Sequence, residues 1–350
     1  MKKNTMLGAA ALVALLGFAP AIAASASEAE GPPQACEAPP IITIEDATLV
    51  SDVTCSYPNT LVNITQDKLF PVPDPGVVVR AEAVFPAGVE VTGHDVAIAR
   101  TEDGQLAVSV DGVAHGDSAA EELLEESHAD TAEDTIEDVD TTEDVDTTDG
   151  VSGASAWKCR NADYAAKSSK WIQTFRWRYN PSGQVSTTSL SIMQSAAKKW
   201  NGTLSYCSPA ITNKSTSSYS GTTTARPSTT YSGTCSGNDG VSTVGWGPMG
   251  PGSNGVTPLA VTCTFTNALG AHLDSDQLYN TRFQWQTGST CSNNYDLRSV
   301  AAHEFGHSYG LNHAPQTSDQ TMKPQFPPCD TSARNLGLGD AYGMAALYPR

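Results

Sequence analysis

His303, Glu304, His307, Gly310 and His313 stand in the pattern H-E-x-x-H-x-x-G-x-x-H. On a helix the first two His, four residues apart, lie one above the other on one face. Two imidazoles so placed can close on one small cation. Glu304 projects beside the same position, where a general base would stand. A straight helix would carry a third His away, and Gly310 permits the left-handed exit that turns the chain back. His313 then serves as third ligand. Three neutral imidazoles leave one position of a tetrahedral Zn2+ open to water, the catalytic arrangement; a structural zinc takes four protein ligands, often Cys, and would leave Glu304 without a role.

The elements that must hold these residues can be read from periodicity. Leu297, Val300, Ala301 and Phe305 form the buried stripe of the metal-bearing helix, with Asn293 or Asn294 as its N-cap. Ile192 to Trp200 is an amphipathic helix, with Ile192, Met193, Ala196, Ala197 and Trp200 on one side. Pro258 to Thr266 alternates apolar Leu259, Val261, Cys263 and Phe265 with Ala260, Thr262, Thr264 and Thr266, which predicts a half-buried strand. Leu273 to Trp285 is another strand region, and 211–234 reads as irregular surface. Upstream, Val77-Val78-Val79, Val96 to Ala99 and Leu106 to Val110 are short strands, and Asp103-Gly104 marks a tight hairpin between the last two. Strands, one early helix, a metal-bearing helix and a last helix give an α+β fold.

The N-terminus has the form of a secretory signal peptide over 1–23. Lys2 and Lys3 precede an apolar run from Met6 to Phe18, and Ala21-Ile22-Ala23 is an A-x-A cleavage site. The run is too short to span a membrane, so a secreted, extracellular protein is expected. In that compartment the eight cysteines favour disulfides. Cys36 and Cys55 suit one bridge; Cys159, Cys207, Cys235, Cys263, Cys291 and Cys329 allow fifteen pairings, among which sequence does not choose.

Composition divides the remainder into a small, mostly β pro-region (24–115), an acidic low-complexity linker (116–153) and a C-terminal domain (154–350). Asp117 to Asp149 holds fifteen Asp or Glu and no Lys or Arg, and Glu-Asp-Val-Asp-Thr-Thr occurs twice in tandem. Such a segment buries too little apolar surface to fold. Residues 1–150 carry a net charge of −24 and residues 151–350 a net of +6. The segment reads as a solvated spacer exposed to proteases; the alternative is a docking element, since an acidic pro-segment tethered to a basic domain should associate with it.

The His motif resembles that of the metzincin metallopeptidases, and more closely the matrixin-like branch. Met322 resembles the Met-turn of that clan. The run Leu338 to Pro349 is similar to the last helix of matrixin catalytic domains. Phe175 to Pro181, then Ile192 to Trp200, resemble their first strand and first helix. Ala314-Pro315 departs from the Ser usual after the third His, and no P-R-C-G cysteine switch lies upstream. The resemblance implies a zincin-like domain: a twisted mixed sheet, an active-site helix, the Met-turn and a C-terminal helix. It also implies catalytic Zn2+ on His303, His307 and His313, with Glu304 as general base. Substrate would lie along an edge strand, for which Pro258 to Thr266 is the candidate, with a pocket wall at about Pro324 to Cys329. Asp340 matches a matrixin Asp that pairs with the new N-terminus after activation.

The function expected is therefore a secreted zinc endopeptidase, made as a zymogen and mature from about residue 150. Its expected partners are protein or peptide substrates and its own acidic pro-segment. Neither nucleic acid nor membrane is expected, and the chain should be a monomer. Asp274 and Asp276 are a candidate Ca2+ pair without the dense oxygen-ligand loop that would assign it. His272 with Asp274 is a weaker candidate for a second metal. The competing reading is an exported metal-binding or adhesive protein with a non-catalytic zinc site and a cation-binding acidic repeat.

Overall fold

The computed structural model describes residues 34–44, 52–57, 59–65, 68–91, 95–116, 118–124, 157–252 and 255–350. The leader and most of the acidic linker lie outside them. After five short strands between Gln34 and Pro71, the main sheet opens with four: Val77–Pro86 (β1), Asp95–Arg100 (β2), Leu106–Val110 (β3) and Val113–Gly116 (β4). Phe175–Tyr179 (β5), helix Ser189–Lys199 (α1), Ser217–Thr222 (β6) and Thr243–Gly247 (β7) follow. Ala260–Asn267 (β8), His272–Asn280 (β9), helix Leu297–Tyr309 (α2), the short strand Gln325–Phe326 (β10) and helix Leu338–Leu347 (α3) complete it. Among the described residues no helix is long and apolar enough to cross a membrane.

The strands join in one mixed sheet of order β6-β5-β7-β9-β8-β1-β2-β3-β4, and β10 lies beside β1. From β6 to β9 the pairs are parallel; β9, β8, β1, β2, β3 and β4 then pair antiparallel in turn. The expected strands at 77–79, 96–99 and 106–110 are parts of β1, β2 and β3, and Gly104 turns the β2–β3 hairpin at φ +91°. Disulfides join Cys159 to Cys207, Cys235 to Cys263 and Cys291 to Cys329. The early pair involves Cys55, whose side chain lies outside the described residues.

The helices cover one face. Along β5 the side chains of Phe175, Trp177 and Tyr179 are buried and those of Arg176 and Arg178 exposed, as a strand with one apolar face requires. They pack with Ile192, Met193 and Ala196 of α1 and with Val300, Ala301 and Phe305 of α2. Of α2, only Arg298 is not buried. The other face carries a second cluster, in which Ala81, Ala83 and Phe85 of β1 meet Val261, Cys263 and Phe265 of β8.

Several expectations need correction: the stretch 211–234, read as irregular surface, contains β6, and the acidic segment begins with a short helix, Ser118–Glu122, whose Ala120 is buried. Asp296, not Asn293 or Asn294, caps α2, its carboxylate accepting from Ser299 N at 2.8 Å; Asn293 instead takes a left-handed turn at φ +59°. Strand β8 is buried on both faces rather than half-buried, and it is not an edge. Its Thr side chains face α2, where Thr262 Oγ1 donates to Glu304 and Thr264 Oγ1 accepts from Lys167. Its outer edge is taken by β1 from end to end.

Gly306, in the middle of α2, is set by packing. A Cβ there would lie 2.2 Å from Met322 Sδ and 2.9 Å from Trp200 Cζ2. Gly306→Ala should therefore destabilise the chain by about 1–3 kcal/mol through overpacking, against the roughly 1 kcal/mol that Ala gains as a helix former. Urea unfolding of the full chain checks this, and an unchanged or raised midpoint contradicts it.

On β9, Asp274 and Asp276 are wholly buried, and with exposed Asp239 their carboxylate oxygens lie within 4.8 Å of one another. Ser242 Oγ donates to Asp274 at 2.9 Å and Thr243 N to Asp276 at 2.8 Å. Burial pushes the Asp274 carboxyl up to about 6. Burial, and then Asp274 itself, raises Asp276 well above the carboxylate range. A folded-state value above the unfolded one means that the native state binds the proton more tightly. The penalty of ionising Asp274 is thus absent below about pH 4, grows as pH rises and is complete above about pH 6. In chelator-treated buffer Asp274→Asn should match wild type at pH 4 and exceed it at pH 7.5 by on the order of 1–3 kcal/mol. Equal gains at both pH values would rule out ionisation as the cause.

Candidate metal centre

The centre is built on the last two turns of α2 and the segment that leaves it. Gly310 ends the helix at φ +110°, its N–H directed to the carbonyls of Gly306 and His307. The exit is then pinned on both sides: Asn312 N donates to Ala165 O and Ala314 N to Met322 O, both at 2.9 Å. His313, between them, is returned to the helix face that carries His303 and His307.

The three imidazoles meet through one type of atom. Nε2 of His303 lies 2.9 Å from that of His307, and His313 Nε2 lies 3.2 Å from each. Every Nδ1 is engaged elsewhere. His303 Nδ1 meets Thr321 O at 2.9 Å, His307 Nδ1 meets Leu311 O at 2.9 Å, and His313 Nδ1 meets Asp95 Oδ1 at 2.8 Å. A neutral ring that donates from Nδ1 has only a lone pair at Nε2. Three lone pairs about 3 Å apart repel unless a cation stands among them. Zn–N distances of about 2.0–2.1 Å in a tetrahedron place nitrogens about 3.3 Å apart, so the residues fit such an ion. Burial, and then the two neighbouring rings, hold His303 well below the usual histidine range. Burial also lowers His307, although Glu82 opposes it. For His313 burial works downward, but Asp95 outweighs it and the net direction is up.

Glu304 is wholly buried beside the triad. Its Oε2 accepts from Thr262 Oγ1 at 2.5 Å, and its Oε1 has no hydrogen-bond partner among the described residues. Burial drives its carboxyl well above the usual range. Met322 is buried against Gly306 and belongs to the same core cluster as Trp200 and Phe305. In the full chain the Asp340 carboxylate accepts from Thr321 N (2.8 Å), Met322 N (3.3 Å) and Gly337 N (2.6 Å). It fixes the turn whose carbonyl orients His303. His272 does not join Asp274 in a metal group; its Nε2 lies 3.1 Å from Ser169 Oγ.

Sequence reasoning missed the groups that arrive from upstream. Glu82 of β1 is buried and paired with Lys167, and its Oε1 lies 3.3 Å from His307 Nδ1. Burial works against the Glu82 charge, but His307 and Lys167 outweigh it and keep the carboxyl below its usual range. Asp95 of β2 holds His313. A signal existed: Arg80 and Glu82 interrupt an otherwise apolar strand, and buried charges require partners. Spacing alone could not say which.

Residues 255–349 match the matrixin family model. Over 84 residues the chain is 37% identical to matrix metalloproteinase-25 of Mus musculus, covering 23% of this chain and 14% of that protein. Over 78 residues it is 37% identical to neutrophil collagenase of Homo sapiens, covering 22% and 15%. Metalloendoproteinase 4-MMP of Arabidopsis thaliana is 35% identical over 77 residues, covering 22% and 21%. The match thus spans about a fifth or less of each relative's own length. The C-terminal quarter of this chain, which carries the three converging imidazoles, is similar in sequence to the matrixin family.

Proposed function

We propose that this chain is a secreted, zinc-dependent endopeptidase made as a zymogen, with Zn2+ held by Nε2 of His303, His307 and His313. One observation carries the reading: three Nε2 atoms converge with every Nδ1 already engaged, next to a buried carboxylate with one uncommitted oxygen. Zn2+ in that position would acidify water and polarise a peptide carbonyl. The protein's own residues do the rest. Thr321 and Leu311 orient two of the rings through their Nδ1–H groups, and Asp95 holds the third while the upstream region is in place. Thr262 holds Glu304 Oε2, leaving Oε1 to take a proton from the attacking water and return it to the departing amine. Met322 acts as the Met-turn, a packed floor beneath the triad. Once activation removes β1 from the edge of β8, substrate takes its place there, where backbone hydrogen bonds give affinity independent of side chains. Export by the N-terminal leader, latency through the upstream region, the acidic linker as a docking partner and Ca2+ at the Asp274–Asp276 pair belong to the same proposal.

Glu304→Gln should keep one zinc per chain by elemental analysis and lose on the order of 10²–10⁴ in casein hydrolysis. Both proteins are assayed with and without limited trypsin treatment to release latency. Wild-type protein holding zinc but showing no chelator-sensitive hydrolysis in either state would end the peptidase reading, and a metal-loaded variant as fast as wild type would remove Glu304 from it.

His303→Ala, His307→Ala and His313→Ala should each lower bound zinc well below stoichiometry after dialysis. Asp95→Asn should weaken zinc about 10- to 100-fold in a chelator competition, as loss of a ring-orienting carboxylate does. Full zinc content in all three His variants would refute the ligand set.

A further inference from the structure

Strand β1 is threaded between two sets of partners. One edge pairs antiparallel with β8, Val77 to Val84 lying opposite Asn267 to Ala260. The other edge pairs with β2 from Val77 to Glu82 and with β10 at Phe85 and Pro86. Among the described residues neither β2 nor β10 reaches Ala83 and Val84. The triad stands at this gap. Asp95, opposite Glu82, meets His313 at 2.8 Å. Phe326, opposite Pro86, has its ring centre 5.6 Å from that of His303.

The backbone direction at the gap follows from the bonds on either side. Val84 O accepts from Leu259 N at 2.8 Å, on the β8 edge. Phe85 N donates to Pro324 O at 3.1 Å and Ala87 N to Phe326 O at 2.9 Å, on the opposite edge. In a strand the N–H and C=O of one residue leave by the same edge, and successive residues alternate. The carbonyl of Ala83 therefore leaves on the side of the triad. Val84 is fully buried in the cluster that holds Leu297, Val300 and Phe326. Glu82 lies on the same face of β1 two residues earlier, paired with Lys167. Lys167 Nζ is wholly buried, with Thr264 Oγ1 and His307 O each at 3.3 Å. This cation belongs to the C-terminal region, and its carboxylate partner to the upstream one.

We infer that β1 lies in the cleft as a substrate does, with the Ala83–Val84 peptide bond presented to the triad, and that Lys167 makes the position two residues before the cut select an acidic side chain. The inference rests on the peptidase reading and adds its substrate class: acidic, then small, then a branched aliphatic residue after the cut. Hydrolysis breaks the C–N bond between Ala83 and Val84; the oxygen of water stays on Ala83 as a carboxylate and the amine of Val84 gains the proton. A substrate without the acid leaves a buried ammonium unpaired, which discriminates more sharply than shape alone.

The test uses the zinc-loaded full chain, with and without limited trypsin, and a decapeptide with the sequence of residues 79–88. Cleavage between its Ala and Val is expected, by mass spectrometry. Gln at the Glu82 position should lower kcat/KM by about 10- to 100-fold, and Lys by at least as much. Lys167→Met should bring the Glu and Gln peptides to within about threefold of each other. A readout free of catalysis uses zinc-free Glu304→Gln protein. Its amides at Glu82, Val84 and Phe85 should exchange slowly with deuterium, and adding Glu82→Lys should speed them at least tenfold. Casein hydrolysis with the peptide intact, cut at another bond, or cut equally well with Lys overturns the inference and leaves the peptidase reading standing. Loss of all casein hydrolysis defeats the peptidase reading, and fast exchange at these amides independently defeats the placement of β1.

Discussion

Three imidazole lone pairs directed at one point are the constraint on which the structure turns. Left to themselves they repel, and only fixed Nδ1–H donors and a packed surround can keep them aimed. The acceptors come from three separate segments: the carbonyl of Leu311 just past the helix, the carbonyl of Thr321 in the turn over Met322, and the carboxylate of Asp95 in the upstream meander. Each segment is in turn anchored. Asp340 holds the Thr321 turn through two backbone N–H groups, and Gly310 permits the bend that brings Leu311 back. Gly306 lets Met322 and Trp200 approach the helix that bears two of the rings. The centre is thus a product of long-range packing, although its most visible residues sit within eleven positions of one another.

The upstream meander is part of that packing. Its first strand fills the edge of β8, and its second supplies the third acceptor. Two carboxylates from the acidic part of the sequence, Glu82 and Asp95, lie against the His cluster and Lys167. The opposition of charge between the two parts of the chain is therefore expressed at single buried pairs, where low dielectric makes each contact count for more than a diffuse attraction between surfaces.

The His motif could be read from sequence because spacing on one helix is a local property: ligand geometry follows from 3.6 residues per turn and one left-handed Gly. The strands at 77–79, 96–99 and 106–110 and the helix at Ile192–Trp200 were legible for the same reason. What escaped was non-local. Thr262 and Thr264 read as solvent-facing because alternation cannot distinguish water from a polar helix face. Asp296 was passed over as a cap because Asn293 and Asn294 carry the same signal three residues earlier, and the backbone there turns left-handed first. The pairing of β1 with β8 joins residues nearly two hundred positions apart, a register that no window of sequence contains.

That pairing has a consequence for how the chain reaches its fold. During synthesis β1 to β4 emerge long before β8, and a hairpin meander forms from local contacts on its own timescale. When β8 arrives it finds a preformed edge, so that one long loop closure replaces a search among many registers. A chain that later lost the meander would have no such edge on which to refold, and its persistence would depend on the height of the unfolding barrier rather than on an equilibrium.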